Sequence, residues 1–213
     1  MPKAEVAIVD DHHVVCEGLR SLISAQPDME IVAEYHSGGR AMRELRDSTV
    51  KLILLDLQLG DVSGLDVLRS IVTHKPTARV LMLSSYSESQ YGVNLLRAGA
   101  AGFISKSATP AEMLRAMRTV LRGGRYVGPV LAEQLVDGLN GGDSNAALHE
   151  RLSTREFQIF CKLAQGESVS AIASRMFLSV KTVSTYRRRV LDKMTMKSNA
   201  DITSYAIRNE LIQ

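Results

Sequence analysis

Lys51-Leu52-Ile53-Leu54-Leu55-Asp56-Leu57-Gln58-Leu59-Gly60-Asp61 is the stretch from which the fold is read: four apolar side chains follow Lys51 without a break, and Asp56 ends the run. A short apolar run bounded by charge and followed by glycine is the pattern of a strand buried on both faces, as in parallel sheets. Open α/β sheets hold their ligands at the carboxyl ends of such strands, where Asp56 stands. Taken alone, an aspartate at a strand end can equally cap the next turn. Its companions along the chain decide between the two.

Outward from this run, strand-like segments at Val6–Val9, Ile31–Ala33, Val80–Leu83 and Gly102–Ile104 join Leu52–Leu55. Helix-period stretches at Val14–Ala25, Ala41–Arg46, Leu65–His74, Tyr91–Ala98 and Ala111–Leu121 alternate with them. Such alternation with short connections predicts a parallel sheet covered by helices on both faces. Thr109-Pro110-Ala111-Glu112 specifies one helix start closely, with an N-cap, a proline at the first helical position and a reciprocal glutamate.

The strand ends carry the chemistry. The first run ends in Asp10-Asp11, the third in Asp56, the fourth in Ser84-Ser85 and the fifth in Ser105-Lys106. Parallel strands present these ends on one edge, so carboxylates, a hydroxyl and an ammonium should converge there. Crowded carboxylates repel one another unless a cation is present, and a hard divalent ion such as Mg²⁺ suits a few carboxylate oxygens plus water. A site of that kind accepts a phosphoryl group: Asp56 attacks in line, the metal neutralises charge on the equatorial oxygens, and Lys106 and Ser84 contact them. His12 and His13 look at first like a metal pair, but neighbouring residues at a helix start point in different directions.

On these residues the first part of the chain, residues 4–122, resembles the receiver domain of two-component response regulators. The matching positions are the acidic pair Asp10 and Asp11, the phosphoacceptor Asp56, the hydroxyl of Ser84 and Lys106, with Phe103 at the family's aromatic switch. The resemblance implies that Mg²⁺ is held by Asp11, Asp56 and the backbone carbonyl of Gln58, with Asp10 contributing largely through water. Leu59-Gly60 stands where the family often has Met-Pro, Ser107 where a proline commonly follows the lysine, and Cys16 where the subgroup usually has arginine.

Gly123-Gly124 should end the last helix of this domain. Pro129–Leu139 could add a short helix, and Asn140-Gly141-Gly142-Asp143-Ser144-Asn145 reads as a flexible hinge. Beyond it, Ser153 and Glu156 form a capping box before a helix that stops at Gly166, with Leu152 positioned to staple onto Phe157. A short helix over Ser168–Met176, a tight turn at Phe177-Leu178 and a longer helix capped by Ser179 and running to about Met194 make a helix-turn-helix. On the longer helix Val183, Tyr186, Val190 and Met194 follow a buried stripe, while Lys181, Ser184, Thr185 and Arg188 project elsewhere, flanked by Arg187, Arg189 and Lys193.

Ser179-Val180-Lys181-Thr182-Val183-Ser184-Thr185-Tyr186 is similar to the recognition helix of the LuxR/NarL/FixJ-type DNA-binding domain, with Ser184 and Tyr186 where lysine and histidine are more usual. The resemblance implies base contacts from Ser184, Thr185 and Arg188 and phosphate contacts from Lys181, Thr182, Arg187 and Lys193. It also implies a dimerisation helix over about Asn199–Glu210, for which Ile202, Tyr205 and Ala206 are the candidate contacts.

Composition agrees with this division. Residues 1–150 hold 15 Lys and Arg against 18 Asp and Glu, a net of −3, whereas residues 151–213 hold 11 against 5, a net of +6. A basic segment behind a mildly acidic domain suggests that only the carboxyl end meets a polyanion. Nothing approaches the ~18 consecutive apolar residues of a membrane span, no secretory signal opens the chain, and Cys16 and Cys161 lie far apart, which suits reduced thiols. The expectation is therefore an α/β, flavodoxin-like (βα)5 receiver domain over residues 1–124, a linker over 125–147 and an all-α LuxR-type helix-turn-helix domain over 148–213.

The expected function is that of a cytoplasmic, DNA-binding response regulator, not an enzyme. A sensor histidine kinase phosphorylates Asp56, Ser84 and Phe103 move toward the phosphate, the Ile71–Ile104 surface repacks, and the basic domain pairs as a homodimer on double-stranded DNA, with RNA polymerase a further candidate partner. One rival is a phosphatase of the haloacid dehalogenase type, which would need an Asp where Gln58 stands. The other keeps DNA binding but makes the receiver a phosphorylation-independent dimerisation module.

Overall fold

The computed structural model describes residues 2–85, 88–129, 131–133, 148–209 and 211–212. The chain divides into two compact units, Met1–Val136 and Asp137–Gln213. In the first, β1 (Ala4–Val9), β2 (Met29–Tyr35), β3 (Leu52–Asp56), β4 (Arg79–Ser84) and β5 (Gly102–Ser105) form one parallel sheet in the order β2-β1-β3-β4-β5. Between them run α1 (His13–Ser24), α2 (Gly38–Glu44), α3 (Gly64–His74) and α4 (Glu88–Arg97), and α5 (Pro110–Leu121) follows β5. Strand order reverses direction between β1 and β3, so the carboxyl ends of these two strands flank the crevice where such sheets bind ligands.

Every residue of β3 is buried, as its unbroken apolar run requires. Ile8, Leu52, Leu54, Leu81 and Leu83 pack in one core with Leu19 and Ile23 of α1 and Met113, Met117 and Val120 of α5. The alternate residues Ile53, Leu55, Met82 and Phe103 are fully buried as well, so the second face of the sheet is also covered. Ile71 and Ile104, which bound the surface expected to repack, are themselves buried. Helix α5 starts on the expected capping box, the Thr109 hydroxyl accepting from Glu112 N–H while Thr109 N–H donates to the Glu112 carboxylate at 3.0 Å. Helix α2 starts earlier than its apolar period suggests, because Ser37 caps it and a carboxylate from a distant loop, Asp61, accepts its first N–H groups.

Past Gly123, whose φ of +88° suits only glycine, the chain returns to the sheet edge. Tyr126 N–H donates to Ala101 O at 3.0 Å, and Phe103 N–H donates to Tyr126 O at 3.3 Å. Leu131 is fully buried, and a Cβ on Gly92 would lie 2.4 Å from its Cδ2, so Gly92 leaves room for it. Residues 129 and 131–133 are helical, whereas the remainder of the helix expected over Pro129–Leu139 and the hinge Asn140–Asn145 lie outside the described residues.

In the second unit a 3-10 turn (Leu148–Arg151) precedes α6 (Thr154–Ala164), α7 (Val169–Arg175), α8 (Val180–Met194) and α9 (Asn199–Arg208). Ser153, Ser168, Ser179 and Ser198 cap these four helices, each hydroxyl accepting a backbone N–H of the first turn. Gly166, Phe177 and Thr195 turn the chain through left-handed backbone after α6, α7 and α8. The core gathers Phe157, Phe160, Leu163, Ile172, Val183, Val190 and Met194. Ile202 and Ala206 are fully buried within the domain and cannot carry a dimer contact; the half-buried Tyr205 packs edge-on to Phe160. The i, i+4 stripe of α9 is needed for its own domain, and Ile207, 62% exposed, is the apolar residue it leaves outside. Among the described residues no helix is long and apolar enough to cross a membrane.

Candidate functional site

At the carboxyl edge of the sheet, Asp10 and Asp11 follow β1, Asp56 ends β3 and Lys106 follows β5. The Lys106 ammonium lies 2.7 Å from Asp10 Oδ2 and 2.8 Å from Asp56 Oδ2, tying the end of β5 to β1 and β3, neither of which is its neighbour in the sheet. Asp10 and Asp56 are buried, while Asp11 opens to solvent with its side chain 30% exposed. One ligand atom each from Asp10, Asp11, His12 and Asp56 lies within 4.8 Å of the others. Asp10, Asp11, Asp56 and Lys106 are thus brought together in this cup.

Burial, and then the neighbouring Asp10 carboxylate, push the Asp56 carboxyl up to about 6, against the opposing pull of Lys106 and the Gln58 N–H. Burial alone would lower the Lys106 ammonium, but its bonds to Asp10 and Asp56 outweigh this and raise it. When ionised, three carboxylates face one ammonium, an excess of negative charge in a largely dry cup. A hard divalent cation fits that donor set, because oxygen ligands are in excess and Asp11 leaves a solvent-facing side for water.

Ser84 is buried at the end of β4, one residue beyond Leu83, the register partner of Asp56, and its carbonyl accepts Lys106 N–H at 2.8 Å. Phe103 is fully buried on β5. Gln58 N–H donates to Asp56 Oδ1 at 3.1 Å, and Gln58 forms an antiparallel bridge with Ser63 that narrows the loop after β3.

Two histidines stand differently from what the sequence suggests: His12, set aside there as a metal-site candidate, lies with the acids, and His36 was not singled out. His12 caps α1 in extended backbone, so its ring turns back over the acids, with Nδ1 2.9 Å from Asp11 Oδ1 and 3.1 Å from Asp10 Oδ1. Helical spacing places neighbouring side chains apart, but His12 precedes the helix and does not obey it. Behind the cup, His36 Nδ1 lies 2.9 Å from the Asp10 carbonyl, to which the buried Cys16 thiol also donates. Burial, followed by the Asp10 and Glu34 carboxylates, pushes that thiol up to about 11, which leaves it protonated and unreactive at neutral pH.

In the second unit, α7 and α8 are joined by the tight turn of a helix-turn-helix. Lys181, Ser184, Thr185 and Arg188 are exposed along α8, whereas Val183, Val190 and Met194 are buried and Tyr186 is half-buried. The Thr185 hydroxyl donates to the Lys181 carbonyl at 2.9 Å, and three further expected contact residues are engaged within the domain. Thr182 shares a hydrogen bond with the Ser179 hydroxyl at 2.8 Å, Arg187 Nε donates to Asn199 at 2.7 Å, and Lys193 donates to Glu156 at 2.6 Å.

Two family descriptions match the chain: the response regulator receiver domain over residues 6–118, and the luxR family of bacterial regulatory proteins over residues 150–206. The response regulator UvrY of Escherichia coli (strain K12) is 31% identical over 206 residues, spanning 97% of this chain and 94% of UvrY. The response regulator GacA of Pseudomonas protegens is 31% identical over 207 residues, spanning 97% of both chains. RcsB from Salmonella enterica serovar Typhimurium, solved bound to promoter rprA in the presence of the phosphomimetic BeF3⁻, shares the fold with a TM-score of 0.70 at 19% identity, covering 96% of this chain and 98% of RcsB. With both units matched and relatives at 31% identity along nearly its whole length, the chain belongs to the response regulators of the NarL/FixJ type, a receiver domain followed by a LuxR-type DNA-binding domain.

Proposed function

We propose that this regulator is switched by phosphorylation of Asp56 by a sensor histidine kinase in the cytoplasm. An Asp56 carboxylate oxygen attacks the phosphorus of the kinase's phosphohistidine; the P–O bond forms as the P–N bond breaks, and the imidazole leaves. Mg²⁺, held by Asp11, Asp56 and the Gln58 carbonyl with Asp10 acting largely through water, would neutralise charge on the transferring group. Lys106 exchanges one of its two carboxylate contacts for a phosphoryl oxygen, and the Ser84 hydroxyl donates to another. The ordering of that hydroxyl draws Phe103 after it. The observation that carries this reading is the single ammonium bonded to both Asp10 and Asp56 at the edge where the carboxylates converge.

The receiver domain occupies residues 1–124, the linker 125–147 and the DNA-binding domain 148–213 in this reading, with the Tyr126 pairing fastening the start of the linker to β5. The activated protein binds double-stranded DNA as a homodimer. Ser184, Thr185 and Arg188 face the bases, while Lys181, Thr182, Arg187 and Lys193 face phosphates; RNA polymerase is the partner at the promoter. RcsB, seen on promoter DNA with beryllofluoride, supports the coupling of the two ends. Incubation with acetyl phosphate and Mg²⁺ should give one phosphorylated species that disappears in Asp56→Asn. A species that persists in that variant would refute the assignment of Asp56.

A further inference from the structure

Asp61, five residues beyond Asp56 in the loop between β3 and α3, makes contacts that its position in the sequence does not suggest. Its Oδ2 accepts from the Ser37 hydroxyl at 2.7 Å and from Gly39 N–H at 2.9 Å, and its Oδ1 accepts from Gly38 N–H at 2.9 Å. All three donors belong to the start of α2, which already has its own cap, because the Ser37 oxygen accepts Arg40 N–H at 3.1 Å. The loop also lies flush against this helix. A Cβ on Gly38 would come within 2.5 Å of Val62 Cγ2 and 2.8 Å of Leu59 Cδ1. On its other side the loop touches the acidic cup: a Cβ on Gly60 would stand 3.2 Å from Asp11 Oδ2. The segment from Leu59 to Val62 is therefore held between α2 and Asp11, and its inner end is tied by Gln58 N–H to Asp56.

We propose that Asp61 is the positioning residue of the cation site: by fastening this loop to α2 it holds Gly60 against Asp11 and Gln58 beside Asp56 in the arrangement that binds Mg²⁺. The inference rests on the phosphoacceptor reading for its biological purpose, but not for its test. Leu59-Gly60 supplies no ring to stiffen the backbone, so the loop depends on an external tie. Three hydrogen bonds to one carboxylate, two of them from backbone, provide it. An aspartate that served α2 alone would leave the metal site indifferent to its removal.

The full-length chain, its Asp61→Ala variant and its Ser37→Ala variant are titrated with Mg²⁺, following the amide resonances of Gln58 and Gly60, and unfolded by heat without metal. Asp61→Ala should weaken Mg²⁺ binding about tenfold, the scale seen when a group that orients metal ligands is lost, and saturating Mg²⁺ should restore phosphorylation by acetyl phosphate. Ser37→Ala removes one bond of the three and should weaken Mg²⁺ binding in the same direction by less. An unchanged Mg²⁺ affinity beside a lower melting point would overturn the proposal and leave Asp61 as a helix cap. If Asp61→Ala does not fold, Ser37→Ala decides: an unaltered affinity there counts against the tie. A wild type that binds Mg²⁺ yet takes no phosphoryl group refutes the phosphoacceptor reading and leaves the tie to be judged by affinity. A wild type that binds no Mg²⁺ overturns both.

Discussion

Asp56 sits where its own charge is unwelcome. Its carboxyl titrates near 6 in the fold and near 4 in an unfolded chain, so its contribution to stability is fully present below about pH 4 and is lost as pH rises through 6. At neutral pH without metal, Asp56→Asn should therefore be more stable than wild type by roughly 1–3 kcal/mol, and the gap should close toward pH 4. Urea unfolding in EDTA at several pH values measures this; a gap independent of pH would show that Asp56 is not strained by its surroundings. Mg²⁺ should stabilise the wild type more than the variant. The convergence of Asp10, Asp11, Asp56 and Lys106 was legible in the sequence because each ends or follows a strand, and parallel strands share an edge. His12 was not legible, since its direction depends on the extended backbone of a cap. Asp61 was not either, since its partners lie on a helix 22 to 24 residues earlier in the chain.

Among the elements, α8 divides into two kinds of polar residue. Arg188 is exposed, with only a loose 3.9 Å pairing to Asp192, so it is free to turn to a base. Arg188→Ala should cost about 1–3 kcal/mol of DNA affinity and relax the preference at one position, whereas Lys181→Ala should weaken all sequences alike and reduce the salt slope by about 1. Lys193 differs because it already serves the domain. Burial would raise the Glu156 carboxyl, but bonds from Lys193 and from Ser153 bring it below the usual range. That contribution is present above about pH 4.3, the unfolded value, and fades as pH falls through the lower folded value. Lys193→Ala should thus lower the thermal midpoint near neutrality and much less in acid, in addition to weakening DNA binding. Loss of DNA affinity with an unchanged midpoint would show that the bond to Glu156 contributes no stability. Serine caps and the glycine stop after α6 made these helices readable from sequence. The stripe on α9 was not, because the same i, i+4 apolar spacing serves a core or a dimer, and only packing shows that Ile202 and Ala206 belong to the core.

The molecule as a whole joins an acidic unit to a basic one, a charge division visible in the sequence alone. If the basic unit of each protomer in a dimer neutralises three or four phosphates, log affinity should fall with log salt at a slope of roughly −5 to −7. A slope near zero in a salt titration would place the DNA elsewhere. The parallel sheet and both domain classes were also legible, because unbroken apolar runs, capping boxes and turn residues agree with one another along the sequence, whereas the strand order β2-β1-β3-β4-β5 depends on pairings between distant segments. How the units act on each other was not, since no local pattern encodes a population shift. DNA affinity measured with and without beryllofluoride and Mg²⁺, for wild type and Asp56→Asn side by side, reads this coupling. Activated wild type should bind at least about tenfold tighter and form a dimer, with no response from the variant, tenfold corresponding to ~1.4 kcal/mol of coupling. Equal affinity and an unchanged oligomeric state in all four samples would contradict it and leave the receiver a fixed dimerisation module.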